Sequence, residues 1–284
     1  MRTRSFFPAL IWALAATATA AEITGRVLSE NKGVVGATVS AIPYETRHAA
    51  ALREARGTPA PAPLASASAS ADGRFKLVVP VTAPPFVVRV TFGGLAARTF
   101  DGVFERNDTE DIGEISLSRG DTVAGRVVGP DGKPVTGALV RIGRDGEPTT
   151  TGKDGLFRFD DVSGRSGQAF ITGSGATLSV NAAGFETQAA AARFSGAPAT
   201  VRLKAATARL SGVLRDASGQ PAIDAVVRVV ADAVTRWVRT DALGGFEIPG
   251  TPARQGRLQA LGRDGSSLEI TVPAGAARNT FTLA

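Results

Sequence analysis

Residues 123–142 read VAGRVVGPDGKPVTGALVRI, two apolar-alternating runs around a turn rich in glycine, proline and aspartate. Successive side chains of a strand point to opposite faces. Val123, Gly125 and Val127 therefore share one face of a first strand, and Ala138, Val140 and Ile142 share one face of a second. The polar turn carries the residue types that a chain reversal needs, and the pattern predicts an antiparallel pair. Two more copies follow the same pattern: ITGRVLSENKGVVGATVSAI from Ile23 and LSGVLRDASGQPAIDAVVRV from Leu210. The alternation persists in all three while the turn drifts: Gln220 stands near the place of Lys133, and Ser218 near that of Asp131. A stretch that keeps its periodicity and varies its polar residues reads as scaffold.

The repetition continues downstream. Phe75, Phe157 and Phe246 each follow a glycine at the start of a further strand, which makes them core residues. VVRVTFGG from Val87, LSVNAAGF from Leu178 and RLQALGRDG from Arg257 supply another strand. Ile115 and Leu117, Val201 and Leu203, and Phe281 and Leu283 supply the last one. Short strands punctuated by turns predict an all-β chain, a tandem array of three small antiparallel β-sandwiches over 22–119, 120–206 and 207–284. The connectors SRGDTV and KAATAR are short, so the expectation is a linear string of three packed or semi-rigid modules.

The chain has 284 residues and 43% hydrophobic content, enough for several cores. Residues 1–21 read as a secretory signal peptide: Arg2 and Arg4, then an apolar run, then Ala18 and Ala20 at the spacing of a cleavage site. That segment predicts an exported protein, periplasmic or extracellular, and no later stretch is long and apolar enough to span a membrane. Cysteine is absent, so no disulfide supports the fold. The net charge of +6 is spread without a basic stripe interleaved with aromatics, which argues against a nucleic-acid partner.

GRVVGPDGKPVTGALVRI, with TGKDGLFRF and LSVNAAGF behind it, resembles the carboxypeptidase regulatory-like domain. The resemblance is strongest over 120–206, clear over 207–284 and looser over 22–119. It implies a transthyretin-like, seven-stranded Greek-key sandwich acting as an accessory, non-catalytic module. The transthyretin-like hydroxyisourate hydrolases use several histidines and a terminal Tyr-Arg-Gly-Ser; this chain has one histidine, His48, and ends NTFTLA. One histidine and no cysteine cannot assemble a common zinc site. Gram-positive pilin-type sandwiches carry Lys–Asn bonds between first and last strands, but Lys133 falls in a turn.

Copy one departs from the others by an insert at 44–71. Glu45 to Arg56 is predicted as a short helix stopped by Gly57. Pro59, Pro61 and Pro63 then force an extended stretch, and the Ala/Ser alternation beyond has nothing to bury. A partner-binding loop and a solvated insertion are the two readings of the insert. ERNDTEDIGE at 105–114 gathers carboxylates, and Asp108, Glu110 and Asp111 are the candidate ligands should calcium bind; solvated loop charge is the alternative, and no other cofactor is expected. Asp131-Gly132, Asp145-Gly146, Asp154-Gly155 and Asp264-Gly265 are turn chemistry before they are ligands. Trp237 and Tyr44 are the mature chain's candidates for stacking on sugar, with Trp237 read as partly exposed beside Thr235 and Arg239.

Together these readings describe an exported, non-catalytic binding or spacer protein of the cell envelope that engages a protein or polysaccharide partner. An open sheet edge is a mechanism that needs no distinctive side chains. The alternative is a carbohydrate-binding module using Trp237, and a third option is a hydrolase accessory protein.

Overall fold

The computed structural model describes residues 20–80, 82–100, 102–105, 107–143, 146–162, 171–172, 175–251, 255–272 and 279–283. Nearly all of the predicted signal segment, and Asp145, lie outside them. Copy one forms β1 (Ala21–Ser29), β2 (Lys32–Gly33), β3 (Thr38–Pro43), α1 (Arg47–Arg56), β4 (Ala65–Ser68), β5 (Arg74–Val79), β6 (Phe86–Phe92), β7 (Leu95–Thr99) and β8 (Thr109–Ser116). Copy two forms β9 (Asp121–Val128), β10 (Leu139–Ile142), β11 (Thr149–Thr150), β12 (Leu156–Val162), β13 (Ile171–Thr172), β14 (Gly175–Asn181), β15 (Gln188–Arg193) and β16 (Ala199–Arg202). Copy three forms β17 (Arg209–Arg215), β18 (Val226–Val230), β19 (Val238–Arg239), β20 (Gly245–Pro249), β21 (Gly256–Leu261), β22 (Ser267–Val272) and β23 (Asn279–Thr282). The chain is a tandem array of two-sheet β units, as the alternation predicts.

Each unit has one sheet centred on its first strand and a second sheet facing it: β5-β1-β8 against β4-β3-β6-β7, β12-β9-β16 against β11-β10-β14-β15, and β20-β17-β23 against β19-β18-β21-β22. Two expectations are corrected here. The sheets are not wholly antiparallel, because the first and last strands of each unit run parallel, with Val27 beside Ile115, Val127 beside Val201 and Leu214 beside Phe281. Nor do β9 and β10 pair. The turn of 129–133 closes a brief hairpin, in which the Val135 N–H donates to the Val127 carbonyl at 3.0 Å, and the chain then crosses to the facing sheet. The crossing is made by a residue in the left-handed region: Gly36 at φ 77°, Gly137 at 70° and Asp224 at 57°. Aspartate pays a steric penalty there that glycine avoids; copy three tolerates it for a reason that lies in another unit.

The cores fill as the periodicity requires. Ile23 and Val27, Val123 and Val127, and Leu210 and Leu214 are all buried beneath the facing sheets. Phe75, Phe157 and Phe246 are buried too, and each stands opposite the glycine of its unit's first strand: Gly25, Gly125 and Gly212. That glycine is the space for the ring, since a Cβ on Gly125 would sit 2.5 Å from the tip of Phe157 and 2.4 Å from the Ala199 carbonyl oxygen.

The joint between units is built twice from the same parts. Leu95 bridges Arg119 in the first exit linker, and Phe185 bridges Ala205 in the second. The Gly120 N–H donates to Gly94, and the Ala206 N–H to Gly184, both at 2.9 Å. Onto each joint the following unit lays a left-handed residue from the end of its phenylalanine strand. The Asp161 carboxylate accepts from the Gly94 N–H at 2.8 Å, and the Gly250 carbonyl accepts from the Thr187 N–H at 2.8 Å. The modules are packed end to end.

Two predictions follow from the packing and the turns. Gly125→Val should cost about 1–3 kcal/mol through overpacking against Phe157, read as a lower midpoint in urea denaturation; an unchanged midpoint would show that the ring does not need the gap. Hydrogen bonds hold several turn carboxyls below the usual carboxylate range: the Ser70 hydroxyl on Asp72, the Lys133 N–H on Asp131, and the Ser218 and Ser266 hydroxyls on Asp216 and Asp264. A lowered folded-state value stabilises above the unfolded value of about 3.9 and is lost as pH falls through the folded one. The melting temperature should therefore fall below about pH 4, and a profile flat from neutral pH to pH 2 would contradict this assignment.

Candidate functional site

The insert of copy one is ordered, docked and helical. Thr46 caps α1 by accepting the Ala49 N–H at 3.1 Å, and Gly57 closes it at φ 69°, where the prediction puts its stop. The Ala/Ser run does have a role: it forms β4, the edge partner of β3, with Ser40 and Ser66 hydroxyls 2.8 Å apart. Helix α1 then reaches past its own sandwich. Ala51 is buried in one apolar cluster with Val226, Trp237 and Leu261 of copy three, and Leu52 and Ala55 pack beside it. The expectation of a linear string is corrected, since the first unit touches the third.

Polar contacts fix the helix in register. His48 donates from Nε2 to the Asp224 carbonyl at 2.8 Å, and the Asp224 carboxylate pairs with Arg56 at 3.5 Å and Arg239 at 3.0 Å. This is the same Asp224 that replaces the crossover glycine of the other copies. Glu54, in the last turn of the helix, meets both other units. One carboxylate oxygen pairs with the Arg141 guanidinium of copy two, and the other accepts the Trp237 N–H of copy three at 3.4 Å. Arg141 also donates to the Gly146 carbonyl. The Glu54 and Arg141 side chains are only 12% and 7% exposed, so their charges are held out of bulk water together.

Arg141 and Arg228 occupy the same repeat position, where copy one has Ser40. In a lone sandwich that position faces outward, yet Arg141 and Arg228 are buried because neighbouring units cover them. Arg228 lies 4.4 Å above the centroid of the Trp237 ring and donates to Gln259 Oε1 at 2.9 Å. Copy three's 234–236 segment covers the outer face of β14: the Val234 N–H donates to Ser179, Asn181 donates to the Val234 carbonyl, and the Arg236 N–H donates to Asn181. Between α1, the chain just after it, β10–β11 and Trp237 lies a cleft of about 740 Å³.

The sequence-predicted site residues scatter. Trp237 is 5% exposed, so its expected partial exposure is overturned: α1 roofs it, and its ring is committed to Arg228 and the apolar cluster. Thr235 is equally buried. Tyr44 is half exposed at the end of β3. Asp108 accepts the Glu105 N–H at 2.6 Å, and Asp111 accepts the Gly113 N–H at 3.0 Å, so both close local turns. Glu110 and Asp111 are neighbours in β8 and point to opposite faces. Among the described residues no three His, Asp or Glu side chains gather as a metal cluster. Glu54, Arg141, Arg228 and Asp224 were not foreseen as site residues. The readable signal was an arginine set among valines and isoleucines at one repeat position in two copies.

Among the described residues, no helix is long and apolar enough to cross a membrane. No family model matches the chain, and no curated protein matches it. Solved structures similar to it include the streptococcal ancillary pilin, at 10% identity over 92% of this chain and 98% of that one, with a TM-score of 0.24. The BcpA major pilin subunit of Bacillus cereus is similar at 11% identity over 93% and 99%, with a TM-score of 0.21. The TIE protein of Bacillus anthracis is similar at 11% identity with a TM-score of 0.22; the match covers 93% of this chain and half the length of that one. Likenesses at these TM-scores assign neither activity nor partner to this chain.

Removing one partner of a buried ion pair strands the other charge, at a cost of about 3–5 kcal/mol. Glu54→Ala should lower stability on that scale, and Glu54→Leu with Arg141→Met should recover most of it. Urea denaturation of the single and double variants reads the difference. Equal destabilisation by single and double variants would mean the pair is not the junction's anchor.

Proposed function

We propose that the chain is an exported, non-catalytic scaffold of the cell envelope that holds its three sandwiches in fixed relation and so presents one continuous surface to a protein or polysaccharide partner. The observation that carries this reading is Glu54, a residue of the copy-one insert that contacts copies two and three at once. A flexible spacer needs no such contact; a scaffold whose geometry matters does. The resemblance to carboxypeptidase regulatory-like domains favours an accessory role, and the apolar, Arg-led N-terminus favours export. His48, the single histidine, is engaged in holding α1 to copy three, which favours a structural use over general-base chemistry. The sugar reading loses its principal residue, because a ring roofed by a helix offers no face to a saccharide in solvent.

Replacing Arg47–Gly57 by a short Gly/Ser turn tests the scaffold. The variant should show a larger radius of gyration in small-angle scattering and new protease sensitivity at the exit linkers 118–120 and 204–206. Identical scattering profiles would overturn the reading. Fractionation of cells expressing the full chain should recover it outside the cytosol, and retention in the cytosol would remove the envelope assignment.

A further inference from the structure

We propose that the cleft beneath α1 binds a small carboxylate-bearing molecule, held by Arg47 and Arg53 with its carbon body against Leu139 and Pro148. The site exists only while α1 is docked, so it rests on the same contacts as the scaffold reading. Its volume of about 740 Å³ falls within the range of small-ligand pockets. Its walls combine apolar surface with a cationic excess: four arginines, Arg47, Arg53, Arg141 and Arg228, against two glutamates, Glu54 and Glu147.

The commitments of those charges decide what is open to a ligand. Arg141 is consumed by Glu54, and Arg228 by Trp237 and Gln259. Arg47 is exposed and has no hydrogen-bond or ion-pair partner among the described residues. Arg53 holds Glu45 through Nε at 3.0 Å but meets Glu147 only at 3.5 Å through Nη1. Glu147 is 64% exposed, so it is a loosely held internal carboxylate in the position an incoming one would take. A guanidinium favours a planar carboxylate through paired N–H donors, and partial shelter from water strengthens that contact. The apolar floor then selects an organic acid over a bare inorganic anion. Two sources fit this chemistry: a uronic-acid sugar and an aliphatic polycarboxylate.

Calorimetric titration of the mature chain with digalacturonate, citrate and inorganic phosphate tests the site. Saturable binding of either organic acid, weakening with added salt, is expected, and the tighter of the two identifies the source. Arg47→Gln, at an exposed position, should weaken binding about tenfold at unchanged melting temperature, the effect of losing one charge-assisted contact. Glu147→Gln should tighten it by removing the internal competitor, a change of sign that no merely structural role gives. No saturable binding of either acid up to millimolar concentration, phosphate binding as tightly as both, or Arg47→Gln and Glu147→Gln variants that bind like the parent would each overturn the site. A wild-type chain that keeps its melting and scattering behaviour but binds no acid loses the site and keeps the scaffold. Scattering that is unchanged by loss of α1 defeats the scaffold itself.

Discussion

The arrangement of the three sandwiches depends on one carboxylate. Glu54 stands on a helix that belongs to the first unit, neutralises an arginine of the second and accepts a backbone N–H of the third. Withdrawing two charges from water is costly, and a buried pair is often no more stabilising than apolar residues of the same size. What it supplies is definition. An apolar helix face can slide over an apolar sheet at little cost, whereas a helix whose carboxylate must meet one guanidinium and one N–H has a single register. The cluster of Ala51, Val226, Trp237 and Leu261 provides adhesion, and Glu54 decides where the adhesion occurs.

Much of this fold was legible because a strand's period is two and the pattern repeats. Val123, Gly125 and Val127 announce a half-buried strand by themselves, and Ile23 and Leu210 at matching positions announce it again. What stayed hidden was strand pairing. The alternation of β9 and β10 is satisfied equally by a hairpin within one sheet and by a crossing between facing sheets, since both bury the same side chains. Gly36 and Gly137 mark the difference, because a left-handed residue just before the second strand turns the chain out of its first sheet. The parallel pairing of first and last strands leaves no trace in local periodicity at all, being a contact between residues far apart in sequence.

The site was less legible for a related reason. Trp237 looked half exposed because the strand alternates, and alternation describes one sheet facing water. It is blind to a helix arriving from residues 47–56. Arg141 and Arg228 carried the missing information: an arginine on the outer face of a core strand is unremarkable when solvated, and both are buried here. Ser40 at that position in copy one pairs with Ser66 of the adjacent edge strand, and Arg228 with Gln259 of its own sheet, whereas Arg141 reaches Glu54 of another unit.

Asp224 shows how one substitution can join two requirements. The crossover needs a left-handed residue, and glycine supplies it at least cost in copies one and two. Aspartate also tolerates that conformation among side-chain-bearing residues, and it adds a carboxylate. In copy three that carboxylate gathers Arg56 and Arg239, while the carbonyl at the same residue receives His48. The turn that builds the sandwich is thereby also the socket for the helix. The end-to-end joints cannot do this, because each joins only consecutive units, through backbone bonds that are repeated almost unchanged and, in the first, the Asp161 carboxylate. Contact between the first and third units requires something that the repeat lacks, and the insert with its matching aspartate provides it. Where the copies agree they make sandwiches; where they differ, at Asp224, Arg141 and the helix, they fix how the sandwiches stand and enclose a cleft lined by all three.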